Sequence, residues 1–203
     1  MRTPEVTFFY EFASTYSYLS TVRIGDAASA AGIEVIWRPF LLGPIFKAQG
    51  WSDSPFNIYP AKGRYMVRDI TRIAAERGRT FRMPATFPVN GLTAARLALA
   101  VGDENIAAFT ERTFVAQFER GADISDRAVL SAIIEDLGLD SDATFAKATS
   151  PEIKDALRET SDRAAGLDIF GAPSFVTGDG ELFWGDDRLD QALRWAQRNA
   201  GQG

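Results

Sequence analysis

VTFFYEFASTYSYL (Val6–Leu19) changes from one kind of local order to another within a few residues. Its leading run, Val6 to Tyr10, is short, β-branched and aromatic. It is apolar on both faces, which predicts a buried strand. Ala13-Ser14-Thr15 predicts a polar turn. Beyond it, Tyr18, Leu19, Val22 and Ala27 follow helical spacing, predicting a helix over about Tyr16 to Ala31 with its stop at Gly32. Ile33 to Phe40 alternates like a second strand. Strand, helix and strand so close together form a βαβ unit, whose strands run parallel.

Leu41 to Pro60 contains Gly43, Pro44, Gly50, Pro55 and Pro60 and predicts a loop. From Ala61 to about Ala165 the pattern is helical in segments: Ala61–Arg77, Leu92–Val101, Asn105–Phe118, Asp126–Leu137, a short helix near Ser141, and Pro151–Gly166. A Pro-rich turn, Met83 to Pro88, separates the first two. Ser125 is a candidate cap for the fourth, and Ser141 or Asp142 for the fifth. Strand character returns in Pro173–Thr177 and Glu181–Trp184, which flank the hairpin turn Gly178-Asp179-Gly180; a last helix runs from about Asp187 to Asn199. Two β-containing ends make one sheet if the helices between them are an insertion. The expected fold is therefore α/β: a thioredoxin-like core, residues 1–60 and 166–203, interrupted by an all-helical subdomain, residues 61–165.

The 203 residues include no cysteine and no histidine. Disulfides, CxxC redox chemistry, thiolate or imidazole metal sites, Cys nucleophiles and Ser-His-Asp triads are thereby excluded, and no metal is expected. Any chemistry must run on hydroxyls, carboxylates, Lys, Arg, Tyr, backbone dipoles or a borrowed reagent. Lys plus Arg is 22 against 27 Asp plus Glu, a net charge of −5, and no basic run interrupts it. Nucleic acid is not an expected partner, because nonspecific affinity for it comes mainly from Lys and Arg. The longest uncharged stretch, between Arg82 and Arg96, has 13 residues and two prolines. A spanning helix needs about 20 apolar residues, so no membrane segment is expected. Met1 to Phe12 has no secretory-signal layout, and a cytoplasmic location is the default expectation.

Three turns hold residues that can do chemistry. Ser14 falls at the expected start of the first helix, where free N–H groups and the helix dipole favour an anion, whether phosphate, carboxylate or thiolate; a plain helix cap reads the same way. Pro173, in Phe170-Gly171-Ala172-Pro173, is a candidate cis-proline facing that helix start, or an ordinary trans-proline opening a strand. If cis, it leaves the Ala172 backbone open to pair with a ligand as an added strand would. In Trp184-Gly185-Asp186-Asp187 the paired acids either cap the last helix or hold a ligand's amino group. Arg64, Arg68 and Arg72 form a stripe that fits a solvated face or a carboxylate clamp, and Lys47 and Asn57 are polar groups in aromatic surroundings. Asp140 and Asp142 lack the spacing of a calcium loop, and no phosphate-binding glycine fingerprint is present.

Taken in order, FYEFASTYSYL (Phe9–Leu19), WRPFLLGPIFK (Trp37–Lys47), Phe87-Pro88, FGAP (Phe170–Pro173) and FWGDDRL (Phe183–Leu189) resemble the 2-hydroxychromene-2-carboxylate isomerase family. That family is related to kappa-class glutathione transferases and DsbA-type oxidoreductases. The resemblance implies a bound glutathione, with Ser14 as the catalytic serine facing its sulfur. It implies that Ala172 and Pro173 pair with the cysteinyl part, and that Trp184, Gly185, Asp186 and Asp187 hold the γ-glutamyl end. Lys47 and Asn57 match substrate positions. The expected substrate is a small aromatic acid of aromatic catabolism, and a homodimer is the expected assembly. Three residues depart from the pattern: Glu11 where Asp is common, Thr15 for the usual Pro, and Ile58 where the naphthalene-pathway isomerase has a basic residue. Isomerisation by reversible thiolate addition is the leading expectation. Net conjugation by a kappa-like transferase, or non-catalytic binding of glutathione or a peptide, are its alternatives.

Overall fold

The computed structural model of the chain describes residues 3–51 and 55–200. Strands β1 (Glu5–Tyr10), β2 (Glu34–Pro39), β3 (Ser174–Thr177) and β4 (Leu182–Trp184) form one sheet in the order β2-β1-β3-β4. β1 lies parallel to β2, with Phe8 opposite Trp37, and antiparallel to β3, with Phe8 opposite Phe175; β3 and β4 are antiparallel. The two ends of the chain thus meet in one sheet, as the pattern of elements requires. β1 is central because both its faces are apolar. Phe8 stacks on Phe175 at 5.3 Å between ring centres, and Tyr10 donates to or accepts from the Thr110 hydroxyl at 2.7 Å. On the opposite face Phe9 meets the edge of Phe40 and packs with Ile169 and Val176.

α1 (Thr15–Ala31) follows β1 across the turn at Glu11–Ser14. It ends where Gly32 takes a φ of +64°, a left-handed conformation that costs glycine little. Between β2 and β3 the described residues hold α2 (Leu42–Ala48), α3 (Pro55–Ile58), α4 (Pro60–Glu76), α5 (Leu92–Ala100), α6 (Asp103–Phe118), α7 (Arg127–Glu135), α8 (Ser141–Ala148) and α9 (Pro151–Gly166). Phe114 of α6 packs on Phe12 at 5.0 Å, and Phe118 on Tyr18 at 5.6 Å, so the helices share the core that covers β1. A 3-10 turn (Asp186–Arg188) leads into α10 (Leu189–Ala200).

The predicted loop over 41–60 is the main correction. Its described part contains α2 and α3, while residues 52–54 lie outside the described residues. Gly43 and Pro44 suggest a break, yet Pro44 sits in the first turn of α2, where no intrahelical bond needs its missing N–H. The cap comes from far away in sequence: the Glu11 carboxylate accepts the Leu42 N–H at 2.5 Å. Two predicted caps also fall on other residues. Asp126, not Ser125, caps α7, and Asp140, not Ser141 or Asp142, caps α8; each aspartate accepts a backbone N–H at 2.9 Å.

Candidate active site

Ser14 caps α1 with its backbone still extended, and its Oγ accepts the Ser17 N–H at 3.1 Å. The Ser14 N–H donates to the Glu11 carbonyl at 2.9 Å, which fixes the turn against the end of β1. The next two N–H groups of the helix, on Thr15 and Tyr16, have no partner among the described residues. An extended N-cap followed by two unpaired amides makes a positive, hydrogen-bonding end to the helix. The Ser14 proton itself goes across the chain to the Ala172 carbonyl, at 3.0 Å over a separation of 158 residues. The Ala172–Pro173 peptide is cis, and so is Phe87–Pro88. The Ala172 N–H has no partner among the described residues. A hydroxyl, two helix amides and an open peptide edge therefore face one another.

Pro173 carries this arrangement to the next turn, because its carbonyl accepts the Gly185 N–H at 3.0 Å. Trp184, half-exposed, lies over Gly171, where a Cβ would run into the indole Nε1; the Phe170 ring stands 4.8 Å away. Gly185 has a φ of +105°, and a Cβ there would come within 2.6 Å of Asp187 Oδ1. The two acids that follow have opposite surroundings. Asp186 is buried and bonded to Ser20, Arg23 and Arg77, whereas Asp187 is exposed beside Arg188 at 2.9 Å. The carboxylate of Asp186 is occupied within the chain, so only Asp187 turns an acid outward from this segment.

Two further groups, on either side of Ser14 in the chain, take roles that the sequence pattern does not give. Glu11 is buried, and burial pushes its carboxyl up to about 7, partly offset by the Leu42 N–H. The Tyr16 hydroxyl donates to Asp69 Oδ2 at 3.0 Å; burial and the neighbouring carboxylate hold its pKa well above the usual tyrosine value. Tyr16 is thus a protonated donor at neutral pH. Arg72 and Tyr65 also bond Asp69, at 2.9 and 3.4 Å. Arg72 spends its charge there, and Arg64 and Arg68 are exposed on the side of α4 away from buried Met66 and Ile70, as a solvated face requires. No local pattern marks Asp69, which meets Tyr16 only through the fold.

The structure thus brings Ser14, Ala172, Pro173, Trp184, Gly185 and Asp187 into one linked set of turns. Lys47 is exposed in the last turn of α2, and Asn57 is exposed in α3. α2 is tied to the site by Glu11, and α3 by Phe56, whose ring lies 6.4 Å from that of Tyr16.

Known proteins resemble this chain over nearly its whole length. The family model described as DSBA-like thioredoxin domain matches residues 5–194. A 2-hydroxychromene-2-carboxylate isomerase of Sphingobium xenophagum is 32% identical over 190 residues, covering 93% of this chain and 95% of that protein. A kappa 2 glutathione S-transferase of Caenorhabditis elegans is 29% identical over 203 residues, covering 92% and 88%. A solved structure of selenomethionine 2-hydroxychromene-2-carboxylate isomerase superposes with a TM-score of 0.86 at 25% identity, over 98% of this chain and 99% of that one.

Proposed function

This chain belongs to the DSBA-like thioredoxin domain family, and from that premise we propose that it is a glutathione-dependent isomerase of an aromatic acid. The substrate in this reading is 2-hydroxychromene-2-carboxylate or a close relative, and the product the trans-o-hydroxybenzylidenepyruvate form. Similarity to an isomerase over nearly the whole chain supports it, as does similarity to a kappa-class transferase. The observation that carries it is the meeting of Ser14 Oγ with the Ala172 carbonyl at 3.0 Å in a chain without cysteine. A helix N-terminus built to favour a thiolate here has no thiol of its own.

Bound there, glutathione would supply the sulfur that adds reversibly to a conjugated double bond. The residues present fit such a ligand. Ser17 fixes one lone pair of Ser14 Oγ, so the hydroxyl can turn its proton from Ala172 toward a sulfur while the oxygen stays in place. With the Thr15 and Tyr16 amides it would hold the thiol well below its ordinary value near 8.5. Turning the hydroxyl also frees the Ala172 carbonyl, which with its N–H can pair with the cysteinyl backbone. Asp187 would take the ammonium of the γ-glutamyl end. Lys47 would hold the substrate carboxylate and Asn57 a second polar group. In this reading residues 1–60 and 166–203 bind glutathione, and residues 61–165 cover it.

Thiol counting during turnover tests the assignment. An isomerase changes the spectrum of the aromatic acid while the glutathione concentration stays constant. A kappa-like transferase, the second reading that the C. elegans relative favours, would consume one thiol for each conjugate formed. No helix among the described residues is long and apolar enough to cross a membrane. A cytoplasmic homodimer belongs to the same proposal.

A further inference from the structure

Asp186 is an acid whose carboxylate has no room left for a ligand. It is 4% exposed, while the side chain of its neighbour Asp187 is 73% exposed. Oδ1 accepts from Ser20 Oγ at 3.0 Å, Arg23 Nε at 3.3 Å and Arg77 Nη1 at 3.3 Å, and Oδ2 accepts from Arg77 Nη2 at 2.6 Å. The same arginines continue outward. Arg23 donates to the Asp186 carbonyl at 2.8 Å and to Asp190 at 2.9 Å, and Arg77 donates to the Leu19 carbonyl at 3.2 Å. One buried carboxylate therefore ties together α1, the C-terminal end of α4 and the start of α10. Buried ion pairs are on average no more stabilising than well-packed apolar groups, so stability alone is a weak account of such a cluster. What it supplies is direction: two forked guanidinium groups fix a carboxylate in orientation as well as in place.

Direction matters because of what adjoins it. Gly185, immediately before, is anchored to the Pro173 carbonyl, and Asp187, immediately after, faces solvent. We propose that Asp186, clasped by Arg23 and Arg77, is a positioning residue: with both carboxylate oxygens occupied within the chain, it aims Asp187 and the Gly185 turn at the γ-glutamyl end of glutathione. The inference rests on the glutathione reading given above. α4 then meets the start of α1 at a second place, since Asp69 on the same helix accepts the Tyr16 hydroxyl.

Calorimetric titration with glutathione and with cysteinylglycine, which lacks the γ-glutamyl residue, tests the assignment in the wild type, Asp186→Asn, Arg77→Ala and Arg77→Lys. Thermal melts would establish that each variant is folded. Asp186→Asn and Arg77→Ala should weaken glutathione about tenfold or more, the worth of one misaligned charge-assisted hydrogen bond. Cysteinylglycine should bind within about twofold of wild type, and Arg77→Lys should recover part of the loss. Equal weakening of both ligands would reduce the clasp to a structural role and overturn the proposal. So would unchanged glutathione affinity in a folded variant. If Asp186→Asn does not fold, Arg77→Lys against wild type carries the same comparison. Wild-type protein that binds neither ligand would instead remove the glutathione reading itself, a distinguishable failure.

Discussion

Replacing Glu11 by Gln should remove a pH dependence of stability that the buried carboxyl creates. Glu11 is 9% exposed at the end of β1, and burial raises its carboxyl from 4.5 to about 7, with the Leu42 N–H opposing the shift. The folded chain therefore holds this proton more tightly than the unfolded chain does. Its stabilising contribution is complete below about pH 4.5, falls as pH rises toward 7, and is gone above it. At about 1.4 kcal/mol per unit, that displacement is worth about 3 kcal/mol between pH 4 and 8. Glutamine keeps an oxygen for the Leu42 N–H and never ionises. Its amide NH2 adds a donor of its own at a cost of about 1–3 kcal/mol if unmet, a pH-independent offset. The quantity to measure is hence the difference in unfolding free energy between variant and wild type, by urea titration at pH 4 and at pH 8. It should move in favour of the variant by about 3 kcal/mol. Parallel curves, with the same difference at both pH values, would show that Glu11 ionises in the fold as it does in water and would refute the reasoning.

Other perturbations separate chemistry from scaffolding. Ser14→Ala removes the hydroxyl proton but leaves the Thr15 and Tyr16 amides, so turnover should fall about tenfold to a hundredfold while glutathione affinity changes little; steady-state kinetics beside a binding titration read the two separately. Gly171→Ala places a Cβ against the indole of Trp184. The half-exposed ring should swing outward, shifting the tryptophan emission to the red and weakening glutathione; an unchanged spectrum and affinity would mean that the indole has room to spare.

Local patterns made the core legible. β1, the Ser14 turn and α1 are visible because a buried strand, a cap and a helical stripe each leave a signature a few residues long. α2 was not, since Gly43 and Pro44 look like breakers and its capping carboxylate belongs to Glu11, 31 residues earlier. The same limit applies in the site. Ser14 and Ala172 are each recognisable in their own turns, but their contact spans 158 residues and exists only once the sheet has formed. Asp186 and Asp187 are chemically identical in sequence. Which one turns inward is decided by Ser20, Arg23 and Arg77, more than a hundred residues away, and no reading of the turn alone can divide their roles. Tyr16 and Asp69 pair for the same reason, on elements whose own periodicity says nothing of each other.

The most direct test of the proposed activity is the progress curve of 2-hydroxychromene-2-carboxylate isomerisation by the purified protein, with and without glutathione. The account predicts approach to equilibrium only when glutathione is present, at a rate that saturates with it and with no loss of free thiol. Equilibration at the same rate without glutathione, or none with it, would contradict the account.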